Sequence, residues 1–276
     1  MNDFTFEDAI EIGELLQEDT TIDNTSNGKI DYCQTKNGNA IYPMEQSYMK
    51  LDNSDKVLAF LWEVSETVSK DDGIFITRAS KKIASLNKIS ANCVYTVTSK
   101  SKVDGEWIYA TSDKKNVSKT QVKKILDNLK AVGILKEDDS YYYLDVDFER
   151  LNKYGYSIVD DNTSKFLSGL NLKDTLKVYT YLLFRFRKFN NFTFTKKNLA
   201  ELLGYKINKQ GKLEMAVSTR LGDMLYLLNK LELIDVEILY KTNPETGHKY
   251  QCFVLKNVSK YNPEDNQFNN KKTTKR

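Results

Sequence analysis

Two segments of the chain, 99 positions apart, carry the same short pattern. The first reads Ser118, Lys119, Thr120, Gln121, Val122, then Leu126, Leu129, Ile134 and Leu135. The second reads Val217, Ser218, Thr219, Arg220, Leu221, then Leu225, Leu228, Leu233 and Ile234. Apolar residues recur at helical spacing in both, and polar or basic residues fill the opposite face. Each helix then runs into a β-rich segment. A chain built this way must bury two similar helices, each followed by a hairpin, so it is expected to be an internal repeat.

The length, 276 residues, allows two domains of ordinary size, each with its own core. Apolar residues make up 40% and charged residues 29%, as in a soluble globular protein. The net charge of +3 is unevenly spread. Residues 1–40 hold nine acids and two bases, and residues 41–276 hold 39 bases and 29 acids. A basic body suits a polyanion such as DNA, although abundant lysines also solvate ordinary surfaces. Cys33, Cys93 and Cys252 lie far apart without a CxxC, which predicts a reducing, cytoplasmic setting and no disulfide framework. The acidic N-terminus lacks the apolar core of a signal peptide, and no run of 18 apolar residues predicts a membrane span.

Along the chain, residues 1–40 read as an acidic arm, with one amphipathic helix over Asp3–Gln17 and a linker rich in Asn, Thr, Ser and Gly. The first domain is expected over 41–147: a helix Asp55–Val68, a strand Gly73–Ile76, and a helix Arg78–Leu86 capped by Thr77. An inserted hairpin then covers 93–111 and turns at Asp104-Gly105. Helix Ser118–Val132 ends at Gly133, and a wing follows over 134–146. Residues 148–164 read as a connector. The second domain, 165–258, is expected to hold a helix Leu172–Phe189 with Leu176, Tyr179, Leu183 and Phe186 inward, and a strand Phe192–Phe194. A helix Lys196–Leu203 capped by Thr195, a polar loop Lys206–Lys212, a helix Leu213–Leu231 and a hairpin around Asn243–Gly247 complete it. Residues 259–276 form a basic tail. The order helix, short strand, helix, helix, hairpin thus occurs twice. The predicted fold class is α+β, mainly helical: two winged helix-turn-helix domains in tandem with an acidic N-terminal arm and a basic C-terminal tail.

A helix that enters the major groove must present side chains able to reach base edges and phosphates. Lys114, Lys115, Asn116, Ser118, Lys119, Thr120, Gln121, Lys123 and Lys124 crowd the start of the first such helix. Gln suits adenine edges, Lys suits guanine and phosphate, and Ser and Thr position the backbone. Lys206, Lys209 and Lys212 precede the second helix, and Ser218, Thr219 and Arg220 lie on or near its exposed side. Arg220 is suited to guanine, or to an ion pair with Asp223 or Glu214. Lys241, His248 and Lys249 lie at the second wing's tip, whereas Glu137, Asp138 and Asp139 at the first would repel phosphate. Charge runs of this kind are more commonly solvated helix faces; their position in the repeat favours DNA. In Phe184–Phe189, Phe186 reads as core, with Arg185 and Lys188 on the surface.

The chain has one histidine and no G-x-x-x-x-G-K-[ST], so a His-ligated nicking centre and a phosphate-loop ATPase are both disfavoured. No Cys/His array suggests zinc or another metal, and no cofactor is expected. Acidic pairs such as Asp160-Asp161 fall in predicted loops and read as solvated surface. The expected role is non-enzymatic.

The stretch Asn116–Val122, the segment Lys177–Leu183 and the segment Phe194–Tyr205 resemble those of the initiator proteins of theta-replicating plasmids and the replisome organisers of related phages. The resemblance covers about residues 41–258 and is a match of pattern; the inserted hairpin and the acidic arm lie outside it. It implies binding to repeated origin sequences in double-stranded DNA and recruitment of host replication proteins. The acidic arm is expected to hold a host replication protein or the partner of a homodimer, and no membrane role is expected. A transcription or plasmid-partition regulator, and a non-catalytic protein-interaction module, are the alternatives.

Overall fold

The computed structural model describes residues 39–260, apart from positions 64, 70–74, 80–84, 104–105, 139–140, 145–147, 171, 190–191, 209–211, 245–246 and 248. The predicted arm helix and most of the tail lie outside the described residues. Those described form an α+β fold of helices and small antiparallel sheets. They belong to one compact unit, Asn37–Arg276.

The chain begins with β1 (Asn39–Pro43), α1 (Gln46–Met49) and α2 (Ser54–Glu63). Asn39 and Ala40 therefore belong to the folded body rather than to the arm. Helix α2 stops five residues short of the predicted end, and β2 (Ser65–Ser69) follows, paired with β3 (Phe75–Ala79) through Thr67 opposite Thr77. Val64 and Val68 continue the helical spacing of the apolar residues. With Thr67 they also make a β-branched stretch, whose stiff side chains favour the extended chain. Thr77 and Arg78 consequently lie in a strand, so Thr77 caps no helix; positions 80–84 of the predicted helix Arg78–Leu86 lie outside the described residues, and α3 (Leu86–Asn92) begins at its last residue. The inserted hairpin is longer than expected: β4 (Val94–Val103) pairs with β5 (Glu106–Asn116). Helix α4 (Lys119–Ala131) packs against α2 and α3, then β6 (Leu135–Asp138) pairs with β7 (Tyr141–Leu144), against which β3 lies.

The predicted connector is structured. It contains α5 (Phe148–Tyr154) and β8 (Tyr156–Asp160), and Asp160 caps α6 (Asp161–Gly169) by accepting from the Thr163 amide at 3.0 Å. Next come α7 (Thr175–Lys188), β9 (Thr193–Phe194), α8 (Lys196–Leu202) and α9 (Met215–Lys230). The chain closes with β10 (Ile234–Thr242) and β11 (Lys249–Val258) in a sheet of order β10-β11-β9. Thr195 caps α8 in a capping box with Asn198. Leu213 lies outside α9 because it bridges Ile207 across the loop. In α7, Leu176, Tyr179 and Leu183 are buried, but Phe186 is only half-buried.

The 99-residue repeat is a repeat of packing. Val122 and Leu221, Leu126 and Leu225, Leu129 and Leu228, and Leu135 and Ile234 are all buried. The helix ends also repeat. The Gly133 amide donates to the Lys130 carbonyl and the Ile134 amide to Leu129, while the Glu232 amide donates to Asn229 and the Leu233 amide to Leu228. Gly133 has φ +73° and Glu232 φ +57°, the left-handed turn that ends a helix. At Gly133 a Cβ would sit 2.7 Å from Arg150 Nη1, so a side chain there would be both strained and obstructed. Arg150 in turn grips Glu45 with two hydrogen bonds, of 2.5 and 2.6 Å.

Long-range contacts join the two copies. β1 pairs with β8, and α6 packs against α2 and α7. Lys56 donates to the carbonyls of Ser168 and Leu170. Lys177, on α7, is 1% exposed. Its ammonium donates to the Leu51 carbonyl, lies 3.7 Å from Asp174 Oδ1 and sits 5.5 Å from the centre of the Tyr48 ring. A buried ammonium must be paired or hydrogen-bonded, and these three partners meet that demand. Removing it leaves Asp174 and the Leu51 carbonyl buried without their cation. Lys177→Ala is expected to cost about 3–5 kcal/mol in urea unfolding, whereas Lys177→Met with Asp174→Asn, which removes both charges, recovers most of the loss.

Glu45 and Asp174 act oppositely on acidification. Burial raises Glu45, but hydrogen bonds from Arg150 and Ser47 outweigh it and hold its carboxyl below the usual range. Its contribution is present at neutral pH and is lost as pH falls through the carboxylate range. For Asp174, burial outweighs Lys177 and Tyr205 and leaves the carboxyl above its usual value, so the folded state takes up that proton first and gains from acid. Unfolding free energies between pH 7 and pH 3 should fall less steeply in Glu45→Gln than in the parent, and more steeply in Asp174→Asn.

Candidate nucleic-acid interface

Helix α4 starts where Ser118, extended at φ −61° and ψ 145°, accepts from the Gln121 amide at 3.3 Å. Val122, Ile125, Leu126 and Leu129 face inward. That leaves Lys119, Thr120, Gln121, Lys123 and Lys124 exposed, with Ser118, and with Lys115 and Asn116 from the end of β5. Lys114 lies on β5 opposite Thr96, and its side chain is outside the described residues. Lys119, Lys123 and Lys124 have no ion-pair partner among the described residues, so the first two turns carry an uncompensated cationic face. The last turn differs. Lys130 is bound by Glu137 of β6 and by Asp127 at 3.2 Å. The hydrogen bond from Lys130 holds the Glu137 carboxyl below its usual range. Glu137, expected at a phosphate-repelling wing tip, is thus turned back onto the helix.

Helix α9 buries Val217, Leu221, Met224, Leu225, Leu227 and Leu228. Glu214 stands at its N-cap without a side-chain capping bond. Thr219 is exposed and Ser218 half-buried, while Met215 is 85% exposed. Arg220 bonds neither of the acids expected as its partners. It donates to the Tyr205 hydroxyl at 3.2 Å and lies over that ring, 5.7 Å from its centre. Tyr205 donates in turn to Asp174 Oδ2 at 2.6 Å. Burial, with Asp174 beside it, pushes the Tyr205 hydroxyl well above its usual pKa, so it stays a donor at any physiological pH. Arg220 is therefore oriented by a chain of bonds that ends at the buried Lys177.

Lys206 and Lys212 are exposed on the loop before α9. The loop is closed by the Asn208 amide donating to the Lys212 carbonyl at 3.1 Å and the Lys212 amide donating to Asn208 Oδ1 at 2.8 Å. Lys209 and His248 lie outside the described residues. Lys241 and Lys249 are exposed near the tip of the β10-β11 hairpin. Sequence reasoning missed Tyr205 and misplaced Arg185. The Arg185 guanidinium is not a surface cation but sits between the rings of Phe189 and Phe192, 4.7 and 4.6 Å from their centres. Only the aromatic run around it hinted at this.

Among the described residues no group of three or more His, Cys, Asp or Glu is placed to hold a metal ion, and no helix is long and apolar enough to cross a membrane. The chain matches no protein-family model, no curated protein and no solved structure. Tyr205→Phe removes the hydroxyl shared by Arg220 and Asp174. It is expected to cost about 1–3 kcal/mol in denaturant unfolding and to loosen Arg220, read as a faster reaction of that guanidinium with a dicarbonyl reagent.

Proposed function

We propose that this chain is a sequence-specific, non-enzymatic protein that binds double-stranded DNA through two winged helix-turn-helix units, with α4 and α9 as the groove-entering helices. The observation that carries the reading is the α4 face. Exposed cations with no ion-pair partner among the described residues, a Gln and hydroxyls stand together on the first two turns of a helix whose other side is buried. Such a face attracts polyanions, by an attraction that salt screens. The sheet of order β10-β11-β9, packed against α7 and α9, supports the winged-helix reading of the second unit. The repeated helix ends support the same reading of the first.

The biological role we infer is initiation of plasmid or phage replication, by binding origin repeats and drawing in host replication proteins. The acidic segment before β1 is assigned to that recruitment. Footprinting on DNA from the protein's own replicon tests the role. Protection of spaced repeats beside an AT-rich region supports the initiator, and protection at a promoter or segregation site overturns it in favour of a regulator.

Each phosphate contact releases counterions, so affinity falls with salt in proportion to the number of contacts. Lys119→Ala, Lys123→Ala and Lys124→Ala combined should weaken binding and flatten the log–log salt slope by about 2–3. An unchanged affinity and slope removes α4 from the interface.

A further inference from the structure

The two candidate helices present different chemistry. The exposed face of α4 is cationic, whereas that of α9 is built from methyl-bearing side chains. Met215 is 85% exposed, Ala216 and Thr219 are exposed beside it, and the three recur at positions i, i+1 and i+4 on one side of the helix. With Leu172, Arg220 and Asp223 they line an open surface groove. A flexible thioether left this far in water at the start of a 16-residue helix does nothing for the core, which the opposite face already fills.

The polar surroundings restrict what can cover this face. Lys206 and Lys212 are exposed just before the helix, and Arg220 is held at the groove's edge by Tyr205. The Lys196 ammonium lies against α9, 2.9 Å from where a Cβ on Gly222 would stand. Of the residues that line the groove, half-buried Asp223 is the one acid, and Glu214 stands at the N-cap of the helix. An apolar strip framed by cations fits a polyanion that itself carries apolar groups. In the major groove of DNA that group is the C5-methyl of thymine, which apolar side chains read directly. We propose that α9 reads thymine methyl groups through Met215, Ala216 and Thr219, so that its half of the bound site is defined by thymines while Arg220 holds a neighbouring guanine or phosphate. The inference rests on the DNA-binding reading above and adds the base that α9 selects.

Replacing thymine by uracil removes the methyl and leaves base pairing intact. The full-length chain is used to select a tight duplex from a random pool, and each thymine of that duplex is then replaced singly by uracil. One to three replacements within one half of the site are expected to weaken binding by about fourfold each, the effect of one buried methyl. Met215→Ser, at a solvent-exposed position that does not threaten folding, should weaken binding to the thymine duplex similarly. It should also abolish the further loss at one of the uracil positions. Tight binding that is indifferent to uracil throughout, or uracil penalties of equal size in Met215→Ser and the parent, overturns the assignment of α9 while leaving DNA binding standing. A Met215→Ser chain that binds DNA like the parent but no longer forms a complex with a protein partner overturns it too, and gives the face to that partner. Absence of any salt-sensitive duplex binding by the parent chain removes both readings.

Discussion

The ammonium of Lys177 has been taken out of water and given one carbonyl, one carboxylate and one aromatic face in exchange. The carbonyl belongs to Leu51 and the ring to Tyr48, in the first half of the chain, whereas the carboxylate is that of Asp174, one turn away on the ammonium's own side. An ion in low dielectric accepts few arrangements, because each lost partner costs far more there than at a surface. Two halves meeting through apolar contacts alone can slide; halves that must close a cage around a cation cannot. Asp174 also holds Tyr205, which holds Arg220. A constraint set at the junction is thereby carried to the surface of α9.

The sequence was most readable where contacts are local. The amphipathic stripes of α4 and α9, the Ser118 and Thr195 caps, the left-handed Gly133 and the pairing of β4 with β5 all follow from residues a few positions apart, and all are present; the expected turn at Asp104-Gly105 lies outside the described residues. It was least readable where pairing is distant. Residues 148–164 carry no strong apolar period, so they read as a connector. Yet Tyr156–Asp160 becomes a strand because Asn39–Pro43 lies beside it, which no local pattern announces. The stretch after Glu63 failed for another reason: its spacing fits a helix and its β-branched composition fits a strand, and pairing with Phe75–Ala79 decides. Of the candidate contact residues, those on α4 are exposed together as expected. Arg220 is exposed only in part, because its partner is a tyrosine 15 positions back rather than an acid on its own helix.

The two helices show how one backbone plan can carry two surfaces. The four buried positions of α4, Val122, Ile125, Leu126 and Leu129, correspond to Leu221, Met224, Leu225 and Leu228 of α9, so the core leaves little freedom there. The outward positions are unconstrained by packing, and there the copies part: lysines and Gln on one, Met, Ala and Thr on the other. Charge on the first has no ion-pair partner among the described residues at its N-terminal turns but is neutralised at its last by Asp127 and Glu137. The cationic region therefore has an edge set by the β6 strand.

The pairing of β1 with β8 also has a temporal side. Asn39 meets Asp160, and the Tyr42 hydroxyl meets that of Ser164, at 2.5 Å and 122 positions away. During synthesis the chain emerges from one end, and a contact cannot form before its second partner exists. When residue 144 leaves the ribosome, every helix and hairpin from α2 to β7 has been made, but the strand that pairs with β1 and the α6 helix that packs on α2 have not. The first repeat must wait with one strand edge and one helix face uncovered until some 20 further residues appear. The residues that complete the first repeat are therefore made in the same interval as the start of the second, so neither unit can be finished in the order in which its own local elements emerge.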